Sequence, residues 1–259
     1  MGTFLFNDII FGPVQSRRLG ISLGINLLPT QVKVCNYDCI YCECGWTARG
    51  DATGQKLPDK KLVMLALEEK LTEMKRLQEF PDTLTFAGNG EPTLHPDFKE
   101  IIKNTIRIRD EFSPEAKIAV LSNATTAGKK EVYDALCMTD KNILKLDTVF
   151  DSTFQKLNRP PSGMNVSHII ENLKLYKQRF IMQIMMVRGH VNGENIDNTT
   201  AEEQQELLHT VEVLQPSSVM LYTIARETPA KGLQKIPLPE LQTFASRIQK
   251  LSIPVHISG

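Results

Sequence analysis

Long hydrophobic runs are missing from this 259-residue chain; the longest, 180–187, is broken by Gln183. A membrane-spanning helix needs about 20 apolar residues, so no membrane span is expected. The first residues, Met-Gly-Thr-Phe-Leu-Phe, carry no basic lead and no small-residue cleavage site, and Phe6 breaks the myristoylation pattern. A cytoplasmic protein is therefore expected. Neither sign of charge is in excess, since 30 Lys and Arg balance 30 Asp and Glu. That balance excludes a globally cationic nucleic-acid binder but leaves room for a local basic patch. No internal repeat, low-complexity tract or Gly/Ser/Pro linker divides the chain. One domain over 1–259 is expected, large enough to bury roughly 70–75% of its surface without disulfide staples.

Strand-like and helix-like patterns alternate almost throughout. Strands are predicted at 22–28, 83–87, 117–121, 142–146, 180–187 and 218–224. A helix capped by Asp59 would put Val63, Leu67, Leu71, Met74 and Leu77 on one face. Further helices are predicted at 96–109, at 129–136 and at 166–177, the last with Ile169, Leu173 and Tyr176 inward. Another begins at the capping box Thr200-Ala201-Glu202-Glu203, and a last one covers 239–251. Six consecutive strand–helix units require a parallel sheet with right-handed crossovers. A closed eight-unit barrel takes about 250 residues, and here an N-terminal segment (1–21) and a cysteine-bearing region (29–58) use much of the first part. The expected fold is α/β: a partial (β/α)6 barrel, its parallel sheet wrapped by outer helices. An open doubly wound sheet is the alternative.

Four of the five cysteines fall within ten residues. Cys35, Cys39 and Cys42 have the spacing C-x3-C-x2-C, and Cys44 follows two residues later. Without secretory features a disulfide reading is poor. Zinc would want four closed ligands, usually as two separated knuckles; Cys44 could complete the count, but no second knuckle exists, as Cys137 stands alone. The other reading is a [4Fe–4S] cluster with three irons held by cysteine and one left open for a ligand, where most such clusters use four cysteines.

C-x3-C-x-aromatic-C, with Tyr41 as the aromatic, resembles the signature of the radical S-adenosylmethionine (radical SAM) superfamily. The stretches Phe11-Gly12-Pro13-Val14, Ser16-Arg17-Arg18-Leu19-Gly20 and Ser22-Leu23-Gly24-Ile25-Asn26 are similar to a narrower group, the radical SAM enzymes of wybutosine (tricyclic tRNA base) synthesis and their bacterial relatives. The resemblance implies a [4Fe–4S] cluster on Cys35, Cys39 and Cys42, whose open iron chelates SAM. It implies reductive cleavage of SAM to a 5′-deoxyadenosyl radical that takes hydrogen from a substrate. A separate flavodoxin- or ferredoxin-like protein would donate the electron, because no second cysteine set accompanies the first. A tRNA base is one candidate substrate, although zero net charge gives no general pull toward RNA. The contrasting expectations are a non-catalytic binding protein, its loop stabilised by zinc or by a closed cluster on all four cysteines, and an RNA-binding protein that keeps only the scaffold.

Gly88-Asn89-Gly90-Glu91-Pro92 follows the second strand and resembles the family's Gly-Gly-Glu-Pro motif, with Asn89 where a glycine usually sits. Read without the family, it is a strand-to-helix turn. The resemblance implies SAM contacts from Tyr41 and from Gly88, Asn89, Gly90 and Glu91. Polar residues at the ends of the next strands, Ser122, Asn123 and Asp147, are candidates for the SAM ribose and carboxylate. Gln183, Met185, Tyr222 and Thr223 stand at later strand ends, where a barrel gathers its chemistry. Arg159 and Arg226 follow strand ends and could bind an anion bidentately. His95, beside the glycine turn, is expected to be structural.

Overall fold

A computed structural model describes residues 4–16, 18–48 and 55–259; Arg17 and parts of the N-terminal segment and cysteine-bearing region (1–3 and 49–54) lie outside the described residues. Eight strands form one sheet. It opens with an antiparallel hairpin of β1 (Ile10–Ser16) and β2 (Gly20–Ile25), with a register shift between Phe11 and Val14. From β2 onward the strands run parallel and neighbours follow chain order: β3 (Thr83–Phe86), β4 (Lys117–Ser122), β5 (Lys141–Lys145) and β6 (Ile181–Met185). Strands β7 (Val187–Val191) and β8 (Glu194–Asp197) leave the main sheet, and β9 (Ser218–Tyr222) resumes it beside β6. Strand β10 (Leu233–Lys235) joins β7 and β8 in a small antiparallel sheet, and β11 (Val255–Ser258) closes the large sheet beside β9. β1 and β11 remain its two edges, so the sheet curls into a half-barrel without closing.

Helices α1 (Lys60–Leu77), α2 (Phe98–Phe112) and α3 (Lys130–Leu136) make the first crossovers. α4 (Asp151–Leu157) and α5 (Val166–Lys174) together make the fourth, α6 (Ala201–Leu214) the fifth and α7 (Leu238–Gln249) the sixth. The six expected units are all present, and a seventh parallel strand follows the last. Alternation along the strands explains the layering: Ile118 and Val120 of β4 enter the main core with Leu67, Ile102 and other helical residues. Ala119 and Leu121, between them, face a separate small cluster with Ile143 and Met220.

Asp59 caps α1 by accepting from the Lys61 N–H at 2.8 Å. Val63, Leu67, Leu71 and Met74 are buried as the period requires, but Leu77 is 55% exposed, because the helix stops at left-handed Gln78 (φ 58°). Only half of the capping box at α6 forms. Thr200 accepts from the Glu203 N–H at 3.2 Å, while the Glu203 carboxylate turns to accept from the Thr148 hydroxyl at 2.7 Å. The single strand expected over 180–187 is split at Met186. Asn198 makes the split: its side chain accepts from Val187 N–H at 2.8 Å and donates to the Met185 carbonyl at 2.6 Å. The segment between β5 and residue 166, where no helix is predicted, contains α4, with Phe154 and Leu157 buried.

Candidate radical SAM site

The cysteine loop has almost no regular structure, so its backbone is held from outside. Val34 N–H donates to Asn89 O at 2.9 Å, and Glu91 N–H to Val34 O at 3.1 Å. Further along, Asp38 N–H donates to Asn158 O at 3.0 Å and Ile40 N–H to Leu157 O at 3.1 Å. The glycine turn is built for this close approach. A Cβ at Gly90 would stand 1.8 Å from Val34 O, and φ there is 136°. At Gly88 (φ 148°) it would meet the Asn26 side chain at 2.3 Å. Asn26 in turn accepts from the Asn89 N–H at 3.1 Å.

Cys35, Cys39, Cys42 and Cys44 all line a cavity of about 600 Å³ at the C-terminal ends of the parallel strands. Ser122 of β4, Lys145 of β5, Met185 of β6, Tyr222 of β9 and Ser258 of β11 contribute their strand ends to it. Lys33 is buried beside the thiols and donates to Gly45 O at 3.0 Å. Burial alone would depress its ammonium, but the charges of Cys42, Cys35 and Cys39 outweigh that and raise it. The hydrogen bond from Cys44 and then the Lys33 charge bring Cys42 down to about 6, against burial. Burial pushes Cys39 up to about 11 and raises Cys35 as well. Asn123 Nδ2 lies 3.6 Å from Cys35 Sγ, and Asn158 Nδ2 lies 3.5 Å from Cys39 Sγ.

Glu91 joins two strand ends. Its carboxylate accepts from Thr93 Oγ1 at 2.5 Å, Ser122 Oγ at 2.8 Å and Asn123 N–H at 2.7 Å. Burial raises it despite those donors. Gly88, Gly90, Glu91, Ser122, Asn123 and Tyr41 line the cavity, as does Arg226, whose Nη1 is paired to Glu43 at 2.8 Å.

Three residues read as cofactor contacts are turned elsewhere. The Asn89 amide is fully engaged, accepting from Phe6 N–H and donating to Phe6 O and Pro29 O, each at 2.9 Å. It fastens the N-terminal segment, because a side-chain amide carries both the acceptor and the donor that the N–H and C=O of Phe6 require. The Asp147 side chain is wholly buried and accepts from Tyr41 OH, from Asn158 Nδ2 at 2.8 Å and from Met185 N–H at 2.8 Å. It orients the aromatic residue of the cysteine motif from behind. Arg159 (φ 47°) lies 5.0 Å over the Trp46 ring, away from the cavity lining. His95 is structural: Nδ1 accepts from Asp97 N–H at 3.1 Å, which leaves Nε2–H to donate to Pro58 O at 2.9 Å.

The two lysines of the lining, Lys33 and Lys145, escaped the sequence reading. Lys145 Nζ donates to Tyr222 OH at 2.7 Å, approaches Asp147 Oδ1 at 3.4 Å and lies 5.2 Å over both the Tyr41 and Tyr222 rings. Burial would lower this ammonium, but Asp147, Tyr222 and Cys39 outweigh it and raise it strongly. The signals were present, as Lys33 precedes Cys35 by two residues and Lys145 shares a strand face with Asp147. Among the described residues no three His, Cys, Asp or Glu side chains surround a single-ion position. Three soft thiols on one loop, balanced by a buried ammonium and opening on a cavity far larger than an ion, fit a cluster with a bound organic ligand.

The model of the radical SAM superfamily matches residues 32–201. The chain is 31% identical over 203 residues to a UPF0026 protein of Methanocaldococcus jannaschii, covering 77% of this chain and 60% of that one. It is 29% identical over 223 residues to a protein of Brachyspira hyodysenteriae named GTPase Obg, covering 85% of this chain and 30% of that one. The chain thus spans less than two thirds of both relatives' length. Among solved structures, SuiB of Streptococcus suis bound to S-adenosylmethionine aligns with a TM-score of 0.64 at 15% identity, over 91% of this chain and 50% of that one. TYW1 with a lysine–pyruvate adduct aligns at 0.60 and 14% identity, over 88% and 73%. These two likenesses show the half-barrel fold.

Proposed function

Because this chain belongs to the radical SAM superfamily, whose members use a [4Fe–4S] cluster and SAM, we propose that it is an enzyme abstracting hydrogen from a substrate held in the half-barrel. The observation that carries the reading is the convergence of Cys35, Cys39 and Cys42, with Lys33, on the cavity at the strand ends. Those cysteines would hold the cluster. When bound, cluster and SAM supply a 5′-deoxyadenosyl radical. The Gly88–Gly90 turn, Glu91, Ser122 and Asn123 would hold SAM beside it, while Asp147 keeps Tyr41 in place. Lys33 offsets negative charge at the thiolates. A separate flavodoxin- or ferredoxin-like protein supplies the electron in this reading, and the setting is cytoplasmic. Among the described residues no helix is long and apolar enough to cross a membrane.

One solved neighbour holds a lysine–pyruvate adduct. Lys33 and Lys145, the lysines lining this cavity, are both raised by neighbouring negative groups. A tRNA base is one narrower form of the substrate proposal, raised by the likeness of the N-terminal stretches to enzymes of wybutosine synthesis.

The test is anaerobic reconstitution with iron and sulfide, reduction, addition of SAM and assay of 5′-deoxyadenosine. The wild type and Cys44→Ala should form it, and Cys39→Ala should not. A colourless, zinc-loaded protein that never cleaves SAM, and loses its metal on Cys44→Ala, would return the chain to the binding-protein class.

A further inference from the structure

A second chamber of about 620 Å³ adjoins the cysteine-lined one. The two share Val14, Ser16, Arg18, Ala87, Leu121, Gln183 and Arg226 in their walls, so a ligand in the second lies against whatever fills the first. Its remaining wall is largely apolar. The Phe6 and Phe11 rings stack at 3.6 Å, and Phe11 rests on the bare backbone of Gly24, where a Cβ would stand 2.1 Å from the ring. Ile143 and Met220 close the sheet side. The hydroxyls of Ser22 and Thr85 bond each other at 2.7 Å and so present little to a ligand. Among the described residues no carboxylate lines this chamber.

Arg18 is the exception in that wall. Its Nη1 is buried and has no hydrogen-bond partner, and its guanidinium carbon lies 5.4 Å over the Tyr222 ring. The other arginine present, Arg226, is already paired with Glu43. A desolvated guanidinium without an acceptor is unfavourable, and buried polar atoms in native proteins nearly always have partners. An arginine held flat against an aromatic ring still offers its edge to a carboxylate or phosphate in bidentate fashion.

We propose that this second chamber is the substrate site and takes a small apolar acid, its carboxylate or phosphate on Arg18 and its hydrocarbon body against Phe6, Phe11, Ile143 and Met220. The inference rests on the functional reading above, in that the occupant is the molecule giving up hydrogen. With Gln183 its only side-chain amide among the described residues, the chamber is poorly equipped to read the edges of a nucleobase, which favours such an acid over a tRNA base.

Phenylbutanoate, phenyl phosphate and the neutral phenylbutanol serve as probes, their binding to the reconstituted protein measured by calorimetry without reductant. The better-bound acid should exceed the alcohol by roughly tenfold or more, as a charge-assisted pair implies, and the ranking of the two acids identifies the anion. Arg18→Gln should abolish that preference while leaving alcohol and SAM binding unchanged, and Arg18→Lys should keep part of it. Ile143→Phe, checked for its melting temperature, should weaken all three probes. Equal binding of acids and alcohol, or a preference that survives Arg18→Gln, overturns the proposal. Loss of SAM binding with unchanged probes would assign Arg18 to the cofactor instead, and displacement of phenylbutanoate by tRNA would move the site to nucleic acid. Failure of SAM cleavage with probe selectivity intact would count against the enzyme reading alone.

Discussion

Replacing Gly90 with alanine separates the docking of the cysteine loop from ordinary backbone strain. The added Cβ would stand 1.8 Å from Val34 O, a distance no rotamer change relieves, because the obstacle is main chain. Alanine at φ 136° costs about 1–3 kcal/mol by itself. Lifting Val34 away also breaks its two backbone bonds, to Asn89 O and from Glu91 N–H, at about 1 kcal/mol each. The sum, about 3–5 kcal/mol, is a sizeable part of the ~5–15 kcal/mol by which a protein is stable, or roughly 10 °C of melting temperature for a chain this long. Cys35 is the next residue after Val34, so cluster loading should fall with it. Gly163→Ala is the matched control: φ is 81° and nothing lies within 4 Å of the new Cβ, so it should lose only about 1 kcal/mol. Melting of the metal-free proteins by circular dichroism, with iron and sulfide per chain after reconstitution, reads both effects. Equal melting temperatures and full cluster loading in both variants would refute the docking argument.

Two further outcomes follow from charges placed by the fold. Lys33 lies beside the three cysteines that would hold the cluster, and reduction would add negative charge there, so Lys33→Gln should lower the cluster's midpoint potential in an electron-paramagnetic-resonance titration; an unchanged or higher potential contradicts the role assigned to it. Burial raises the Glu203 carboxyl above its ordinary value, so the folded state holds that proton more tightly than the unfolded chain does. Ionisation therefore lowers stability as the pH rises from the unfolded value through the folded one. Glu203→Gln should melt like wild type at acid pH and above it at neutral pH, whereas a variant that loses stability mainly at neutral pH would show that the carboxylate's bond to Thr148 outweighs its burial.

The crossovers were legible because each needs a helix with a long apolar face, and local spacing encodes that face. What escaped depends on partners far along the chain. The end of β6 is marked by Asn198, thirteen residues beyond Met185, and the four residues of β11 become a strand only by lying against β9. β1 carries Gly12 and Pro13, which weaken its pattern as a strand. The cysteine spacing was readable because all three cysteines sit on one short loop. The roles of Asn89 and Asp147 were not, since Phe6 and Tyr41, their partners, stand 83 and 106 residues away. Type and position suggested cofactor contacts; in the structure the two side chains bond the N-terminal segment and Tyr41.

A half-barrel leaves two strands with unpaired backbone, each a template on which another chain could extend the sheet. β1 meets that hazard with Pro13, which has no N–H to offer, and with the register shift between Phe11 and Val14, which interrupts a straight row of donors. β11 meets it by brevity, with four residues following Pro254. The open strand ends are thus bordered by edges poorly suited to recruiting a neighbour. Restoring a regular β1, by Pro13→Val, would therefore test how far the half-open shape depends on a single ring of proline.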